Sequence, residues 1–125
     1  MVFEKVKALV MDHLNLISVT ARGMAESKER SAKFLTIQAI LLTYMKEVDE
    51  DLAKLGTLKD AHYARAIRDS EGKNVTEKKI NVASDLEYKD IRQAYEEMEA
   101  LRDWLKGHIK LFENAHILFR NISKE

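Results

Sequence analysis

The stretch that decides the fold is residues 91–122, IRQAYEEMEALRDWLKGHIKLFENAHILFRNI. Apolar residues recur in it at alternating spacings of three and four, and His108 is the polar member of the series. This spacing keeps one side of an α-helix against a partner helix, as in a coiled-coil seam. At about 1.5 Å per residue the helix would be about 48 Å long, more than a small monomer needs to cover its own core. The series is Ile91, Ala94, Met98, Leu101, Leu105, His108, Phe112, Ala115, Phe119 and Ile122.

Length and composition predict a single all-α domain over residues 1–125. The chain has no proline, and 46% of its residues are hydrophobic while 34% are charged, which favours long solvent-facing helices. The predicted architecture consists of helical hairpins with a long C-terminal helix that assembles into a homo-oligomer. Residues 1–83 would form the N-terminal helices and residues 84–125 the oligomerisation helix.

The charge balance and the absence of cysteine exclude several classes of function. Lys plus Arg and Asp plus Glu each number 21, so the formal net charge is zero. A neutral chain does not capture nucleic acid or an anionic membrane by bulk charge, and any nucleic-acid binding must rest on a local basic patch. Without cysteine, the chain has no disulfides, zinc-thiolate sites or thiol nucleophiles.

The N-terminal segment MVFEKVKALVMDHLNLISV is partly apolar but is interrupted by Glu4, Lys5, Lys7, Asp12 and His13. These interruptions exclude a membrane-spanning helix and make the segment a poor signal peptide. The expected location is cytoplasmic, without membrane association.

Hydrophobic periodicity predicts four helical stretches, the first from Val2 to about Thr20. The second is capped by Ser27 and carries a heptad series of apolar residues. It is expected to stop or bend at 56–57, because Thr57 followed by Asp60 resembles a helix cap. A shorter helix would then end at 70–72. The heptad series is Phe34, Ile37, Leu41, Tyr44 and Val48.

The clearest break in the sequence is the turn at 72–74, Gly-Lys-Asn. A short amphipathic turn at 76–83 follows it. Ser84 and Glu87 then have the spacing of a capping box, with Ser at the N-cap and Glu three residues later, so the long helix is expected to start there.

The C-terminal half of the long helix carries a second apolar stripe beside the seam. Trp104, Leu111 and Leu118 repeat every seven residues. A helix that is apolar over most of its circumference must be covered on most sides. We expect other subunits to provide this cover, and packing of the first helix onto this one is the alternative. The predicted oligomer interface comprises Trp104, Leu105, His108, Leu111, Phe112, Ala115, Leu118, Phe119 and Ile122.

The residues that could take part in catalysis or metal binding do not form a complete motif. We therefore predict that the chain is not an enzyme and binds no cofactor or metal. Glu113 and His116 match one Glu-x-x-His element, whereas di-iron bundles need two. The acidic run at 47–51 is interpreted as a solvated face. His108 is interpreted as a partly buried histidine bonded to a neighbour, and Tyr63, Tyr88 and Tyr95 as packing residues.

A basic segment between Gly56 and Lys79 is the candidate binding site. It holds six positive residues against four negative ones, a local excess of two. Cations with an occasional aromatic ring suit single-stranded nucleic acid, because charge meets phosphates and rings stack on bases. A solvated helix and turn is the alternative interpretation. The candidate nucleic-acid-binding residues are Lys59, Tyr63, Arg65, Arg68, Lys73, Lys78 and Lys79.

The order of features from His62 to Ile122 resembles the UvsY-type recombination mediators of tailed phages. It comprises the short basic helix Tyr63-Ala64-Arg65, the turn 70–74, the Thr-Glu-Lys-Lys turn at 76–79 and a long apolar helix opened by Asp85. The helix ends in a basic tail, and the resemblance covers about half of the chain.

In that family a Lys-Ala-Arg stretch of the corresponding helix is implicated in contacts with single-stranded DNA. Arg65 occupies the Arg position here, whereas Tyr63 stands where the Lys would be, and Lys59 and Arg68 supply charge from neighbouring turns.

The resemblance implies a non-enzymatic, ring-like homo-oligomer that binds single-stranded DNA. It also implies a role in helping a RecA-type recombinase replace the single-strand-binding protein during phage homologous recombination, in the host cell cytoplasm if the protein is phage-encoded. Linked copies would strengthen a modest patch by avidity. Two other functions remain open on the residues alone: an oligomeric helical adaptor or scaffold without nucleic-acid binding, and a metal-dependent all-α hydrolase that uses the acidic clusters.

Overall fold

The protein is all-α, as predicted, in a computed structural model that describes residues 2–18, 23–69, 74–83 and 85–124, with the side chains of 18, 80 and 83 excepted. Its helices are α1 (Phe3–Ser18), α2 (Met24–Asp69), α3 (Val75–Ala83) and α4 (Leu86–Lys124). In each of the two units described below, the part of α2 packs against the part of α4. No helix in the described ranges is long and apolar enough to cross a membrane.

The chain forms two compact units, and both long helices run through both of them. Unit 1 comprises residues 1–46 and 103–125, and unit 2 comprises residues 47–102. Unit 1 therefore contains α1, the first half of α2 and the second half of α4. Unit 2 contains the second half of α2, all of α3 and the first half of α4.

The core of unit 1 is built from three helices whose apolar residues recur at helical spacing. The ring of Phe34 lies 5.9 Å from that of Phe112 and 5.4 Å from that of Phe119, measured between centroids. The predicted heptad series of α2 is buried throughout, which confirms it. The other buried apolar residues of this unit are Val6, Val10, Ile37, Leu41, Tyr44, Leu105 and Ala115.

Four of the residues assigned to an oligomer interface are instead buried within the single chain. Leu105, Phe112, Ala115 and Phe119 lie in the core of unit 1. In this conformation they are not available for contact with a second copy. Packing of the first helix onto the last, the alternative interpretation of the sequence, accounts for their burial because α1 carries buried Val6 and Val10 in the same unit.

The remaining interface candidates are only partly covered. The ring of Trp104 contacts Phe3 of α1 edge-on at 5.6 Å and lies 4.2 Å from the ring of His108. Nδ1 of His108 donates a hydrogen bond to the carbonyl oxygen of Trp104, 2.8 Å away, which confirms its interpretation as a partly buried, bonded histidine. Leu111, Leu118 and Ile122 are exposed.

Helix α2 is continuous through Gly56, so the predicted separate third helix is wrong. Thr57 does not cap a new helix, because its hydroxyl donates back to the carbonyl oxygen of Ala53 at 3.1 Å. A glycine inside a helix costs about 1 kcal/mol relative to alanine, a penalty that tertiary packing can override. Gly56 lies against Tyr95 of α4, whose Cε2 would be 3.3 Å from a Cβ added at this position.

Two glycines provide a test of this continuity. Gly56→Ala is expected to raise the free energy of unfolding by up to about 1 kcal/mol, because alanine favours the helix and the ring of Tyr95 can shift slightly. Gly23→Ala is the matched control, since Gly23 has a φ of 93°. There alanine is expected to cost about 1–2 kcal/mol. Urea denaturation measures both, and equal destabilisation at the two sites would contradict a continuous helix at Gly56.

Candidate nucleic-acid interface

The candidate nucleic-acid-binding residues that the structure describes all belong to unit 2. Lys59, Tyr63, Arg65 and Arg68 lie on the last turns of α2, and Lys78 and Lys79 lie on α3. Lys73 lies outside the described residues, as do residues 70–72 of the predicted turn. Asn74, the last residue of that turn, caps α3, because its Oδ1 accepts a hydrogen bond from the backbone N–H of Glu77 at 2.8 Å.

These residues do not form one surface. Successive residues of an α-helix are separated by about 100°, so Lys59 and Arg68, nine residues apart, lie on opposite sides of α2. Tyr63 and Arg68 are separated by about 140° on the same reckoning. The predicted patch is therefore divided into a face that contains Lys59 and Tyr63 and another that contains the two arginines.

The first face packs against α4. Nζ of Lys59 lies 4.4 Å from the ring centroid of Tyr95, and the rings of Tyr63 and Tyr88 lie 5.4 Å apart. All four side chains are half-buried. This agrees with the interpretation of the three tyrosines as packing residues, and it places the amine of Lys59 over an aromatic face.

The second face is more exposed than the first. Arg68 pairs with Asp69 at an Nε–Oδ1 distance of 3.4 Å, and both side chains are exposed. Arg65 and Lys79 are exposed and Lys78 is half-buried. In the described part of unit 2, Arg65, Lys78 and Lys79 form no ion pair within 4.0 Å.

Arg65 also lines a cleft of about 590 Å³ where the end of α2, the end of α3 and the start of α4 meet. Three carboxylates face it, which balance the cationic groups and prevent it from being a strongly basic pocket. Lys78 lies one turn before Asn81 and Val82, on the side of α3 that lines the cleft. The lining residues are His62, Arg65, Ala66, Asp69, Asn81, Val82, Asp85 and Glu87.

A His–Asp contact joins α2 to the start of α4 in this cleft. His62 is only 8% exposed, and its Nε2 donates a hydrogen bond to Oδ1 of Asp85 at 3.2 Å. Its ring stacks on that of Tyr88 at 6.4 Å, and Oε1 of Glu87 lies 3.9 Å from Nδ1. Sequence reasoning missed this pair, because the two residues are 23 positions apart and belong to no spacing motif.

Asp85 is the N-cap of α4. Its Oδ1 accepts a hydrogen bond from the backbone N–H of Tyr88 at 2.8 Å, and its carbonyl oxygen accepts one from the N–H of Lys89. The predicted cap, Ser84, lies outside the described residues. The hydrogen bond from the Tyr88 N–H, together with that from His62, lowers the pKa of Asp85 below its ordinary value of 3.8.

The other chemical candidates have structural partners. His116 donates from Nδ1 to the carbonyl oxygen of Ser31 at 2.9 Å, while Glu113 lies 3.7 Å from Nζ of Lys110. Asp49, from the acidic run, accepts a hydrogen bond from Nε of Arg102 at 2.6 Å. Among the described residues, no group of three or more His, Cys, Asp or Glu side chains is arranged to hold a metal ion.

Comparison with known proteins adds no relative: no protein-family model, curated protein or solved structure matches the chain.

The cap at Asp85 gives a pH-dependent prediction. Because its pKa is lower in the folded chain, ionised Asp85 stabilises the fold above about pH 3.8, and this contribution is lost as the pH falls through the lowered pKa. Asp85→Ala should lower the thermal midpoint at neutral pH. Asp85→Asn, which keeps a capping oxygen, should lower it less.

Circular dichroism melting curves between about pH 6 and pH 3 measure this effect. As the pH falls over this range, the thermal midpoint of both variants should decrease less than that of the parent protein, because neither carries a carboxyl group at position 85. If the thermal midpoint of both variants decreases with falling pH as much as that of the parent protein, the assigned role of Asp85 is contradicted.

Proposed function

We propose that this protein is a non-enzymatic recombination mediator that binds single-stranded DNA and helps load a RecA-type recombinase in phage homologous recombination. The observation that carries the proposal is the set of four cations on the last turns of α2 and on α3, called here the basic face: Arg65, Arg68, Lys78 and Lys79. Arg65 lines the cleft where these helix ends meet, Lys78 lies on the side of α3 that lines it, and Arg68 and Lys79 are exposed. Together with the resemblance of residues 62–122 to UvsY-type mediators, these cations favour a phosphate backbone as the ligand.

The charges of this basic face suit a weak, salt-sensitive contact. Exposed arginines and lysines release counterions when they meet phosphates, which makes binding fall steeply with salt. Asp69 already contacts Arg68, but an exposed ion pair contributes little and can yield to a phosphate. One protomer of zero net charge would therefore hold a strand weakly.

A homo-oligomer would convert this weak contact into a useful one. Several linked copies raise the effective concentration of the basic face around a single strand, so the assembly binds the strand more tightly than one protomer does. In the proposed role, the assembly holds the strand while the recombinase replaces the single-strand-binding protein. No step of this role requires a covalent reaction, which is why no catalytic residue is assigned.

The proposal predicts how the basic face contributes to DNA binding. Arg65→Ala combined with Arg68→Ala should weaken binding to single-stranded DNA. It should also reduce the slope of log K against log salt by about 1.4 per protomer bound, since each single-strand phosphate contact contributes about 0.7. Fluorescence anisotropy with a labelled oligonucleotide at several salt concentrations measures both quantities.

The matched control removes two positive charges elsewhere. Lys7 and Lys46 are exposed and belong to unit 1, so Lys7→Ala with Lys46→Ala should leave the affinity and the salt slope unchanged. If the parent protein does not bind at low salt, the mediator proposal is wrong. If both double variants weaken binding equally, the contact is a general charge effect and not the basic face.

A second candidate function, an oligomeric adaptor or scaffold without nucleic-acid binding, is favoured by an apolar surface on α4. Leu111 and Leu118 are seven residues apart and are 41% and 53% exposed, and Ile122, four residues after Leu118 on the same side, is also exposed. An exposed apolar group of this kind on a helix is typical of a surface that contacts another protein. Both functions need self-association, and only the mediator needs DNA.

This surface predicts the effect of substitution on assembly. Leu111→Ser with Leu118→Ser should lower the mass measured by light scattering, because the exposed stripe is lost while the buried residues of α4 are retained. Leu35→Ser with Leu42→Ser is the matched control, since these leucines are seven apart on α2 and are 52% and 51% exposed. A monomeric parent protein would contradict self-association. Dissociation by the α2 control alone would place the interface on α2.

A further inference from the structure

Three tyrosines of unit 2 lie along the line where α2 packs against α4. Tyr63 of α2 contacts Tyr88 of α4, with ring centroids 5.4 Å apart and planes inclined by 49°. Tyr88 and Tyr95 are seven residues apart, so they lie on the same side of α4, about 10 Å apart along its axis. All three rings are half-buried.

Two cations lie beside these rings. Nζ of Lys59 is 4.4 Å from the ring centroid of Tyr95, and Cζ of Arg92 is 6.0 Å from that of Tyr88. Arg92 follows Tyr88 by four residues and precedes Tyr95 by three, so it lies between the two tyrosines on one side of α4. Ring, cation and ring thus alternate along this edge of the helix.

The α2 backbone comes close to this edge at Gly56. A Cβ at that position would lie 3.3 Å from Cε2 of Tyr95, so the absence of a side chain lets the ring rest against the helix. Packing against α2 fixes the orientation of the ring, which stays half-exposed with the amine of Lys59 beside it. A ring held in this way loses little conformational entropy when a ligand stacks on it.

The two cations can exchange their present partners for a phosphate. Arg92 pairs with Glu96 at an Nε–Oε1 distance of 3.7 Å, with 47% and 63% of the two side chains exposed. Such an exposed pair contributes little and competes weakly with a phosphate. Lys59 forms no ion pair within 4.0 Å in the described part of unit 2, and its charge is held over an aromatic face.

We infer that Tyr63, Tyr88 and Tyr95, with Lys59 and Arg92, form a tyrosine ladder on which the bases of a single-stranded nucleic acid stack. The inference rests on the proposed function and adds base contacts from α4 to it. Every base has an aromatic face, so stacking is tolerant of sequence, while cations beside the rings meet the phosphates. A mediator needs this tolerance, because it acts on whatever strand is exposed.

The ladder is a different surface from the basic face. Lys59 and Arg68 lie on opposite sides of α2, so substitutions in one surface leave the other intact. The ladder contacts bases, whereas the basic face contacts only the backbone. An abasic strand of the same length therefore separates the two contributions.

The test compares oligothymidylate with an abasic strand by fluorescence anisotropy on the full chain. The parent protein should bind oligothymidylate more tightly, by about 5- to 150-fold for each stacked base. Tyr88→Leu with Tyr95→Leu should weaken binding to oligothymidylate and leave the affinity for the abasic strand unchanged. Tyr88→Phe with Tyr95→Phe keeps both rings and should retain most of the affinity.

Photo-crosslinking of the unsubstituted protein provides a second measurement that does not depend on how the leucine variants fold. A strand that contains 5-iododeoxyuridine should crosslink to Tyr63, Tyr88 or Tyr95, as identified by mass spectrometry. Crosslinks confined to other residues would overturn the ladder.

Further results would overturn the ladder while the proposed function stands. They are equal affinity for the normal and abasic strands, or oligothymidylate binding that is unaffected by the leucine substitutions. Loss of binding to both strands in the leucine variants would also overturn it, because stacking affects only the strand with bases. No binding of any strand at low salt would overturn the proposed function and the ladder together.

Discussion

The burial of Phe34 against Phe112 and Phe119 is the interaction on which unit 1 depends. The three rings are buried, and aromatic side chains of this size dominate the energetics of a small core. Next to them, the hydroxyl of Ser31 donates to the carbonyl oxygen of His116 at 3.2 Å, and Nδ1 of His116 donates to that of Ser31. These paired hydrogen bonds fix the register of α2 against α4, since a shift of one turn would leave buried polar groups unpaired.

This packing determines which apolar residues of α4 stay exposed. Four members of the 3-4 series of α4 are buried within unit 1, so the apolar residues of this half of the helix that a second copy could contact are exposed ones such as Leu111, Leu118 and Ile122. Periodicity identifies an apolar stripe but not the helix that covers it, because a helix of the same chain and one of another chain require the same spacing. The sequence therefore predicted the long helix and its core side correctly, and it assigned Phe112 and its neighbours to a contact between copies.

The other differences between expectation and structure have the same physical origin. The Gly-Thr pair at 56–57 has the local signature of a helix end, yet α2 continues through it, with Tyr95 of another helix against Gly56, and tertiary packing can override the local preference. His62 and Asp85 carry no signal in the sequence, since only the return of the chain brings them to 3.2 Å. Helix positions and buried heptads depend on neighbours in sequence and could be predicted, whereas sites formed between helices could not.

The charges of the basic segment also could not be assigned to one surface from the sequence. An excess of two cations between Gly56 and Lys79 suggests one patch, but the helix turns Lys59 toward α4 and Arg68 to the opposite side. A count of charges over a sequence window adds cations that lie on different sides of the helix. A single ligand cannot contact all of them at once. Each face then carries only a few cations, so the proposed binding of DNA would need base stacking or several copies of the chain to become tight. The residues for the two proposed contributions lie in different units, the tyrosines in unit 2 and Leu111 and Leu118 in unit 1, so the proposed DNA contact and the proposed assembly can be tested by separate substitutions.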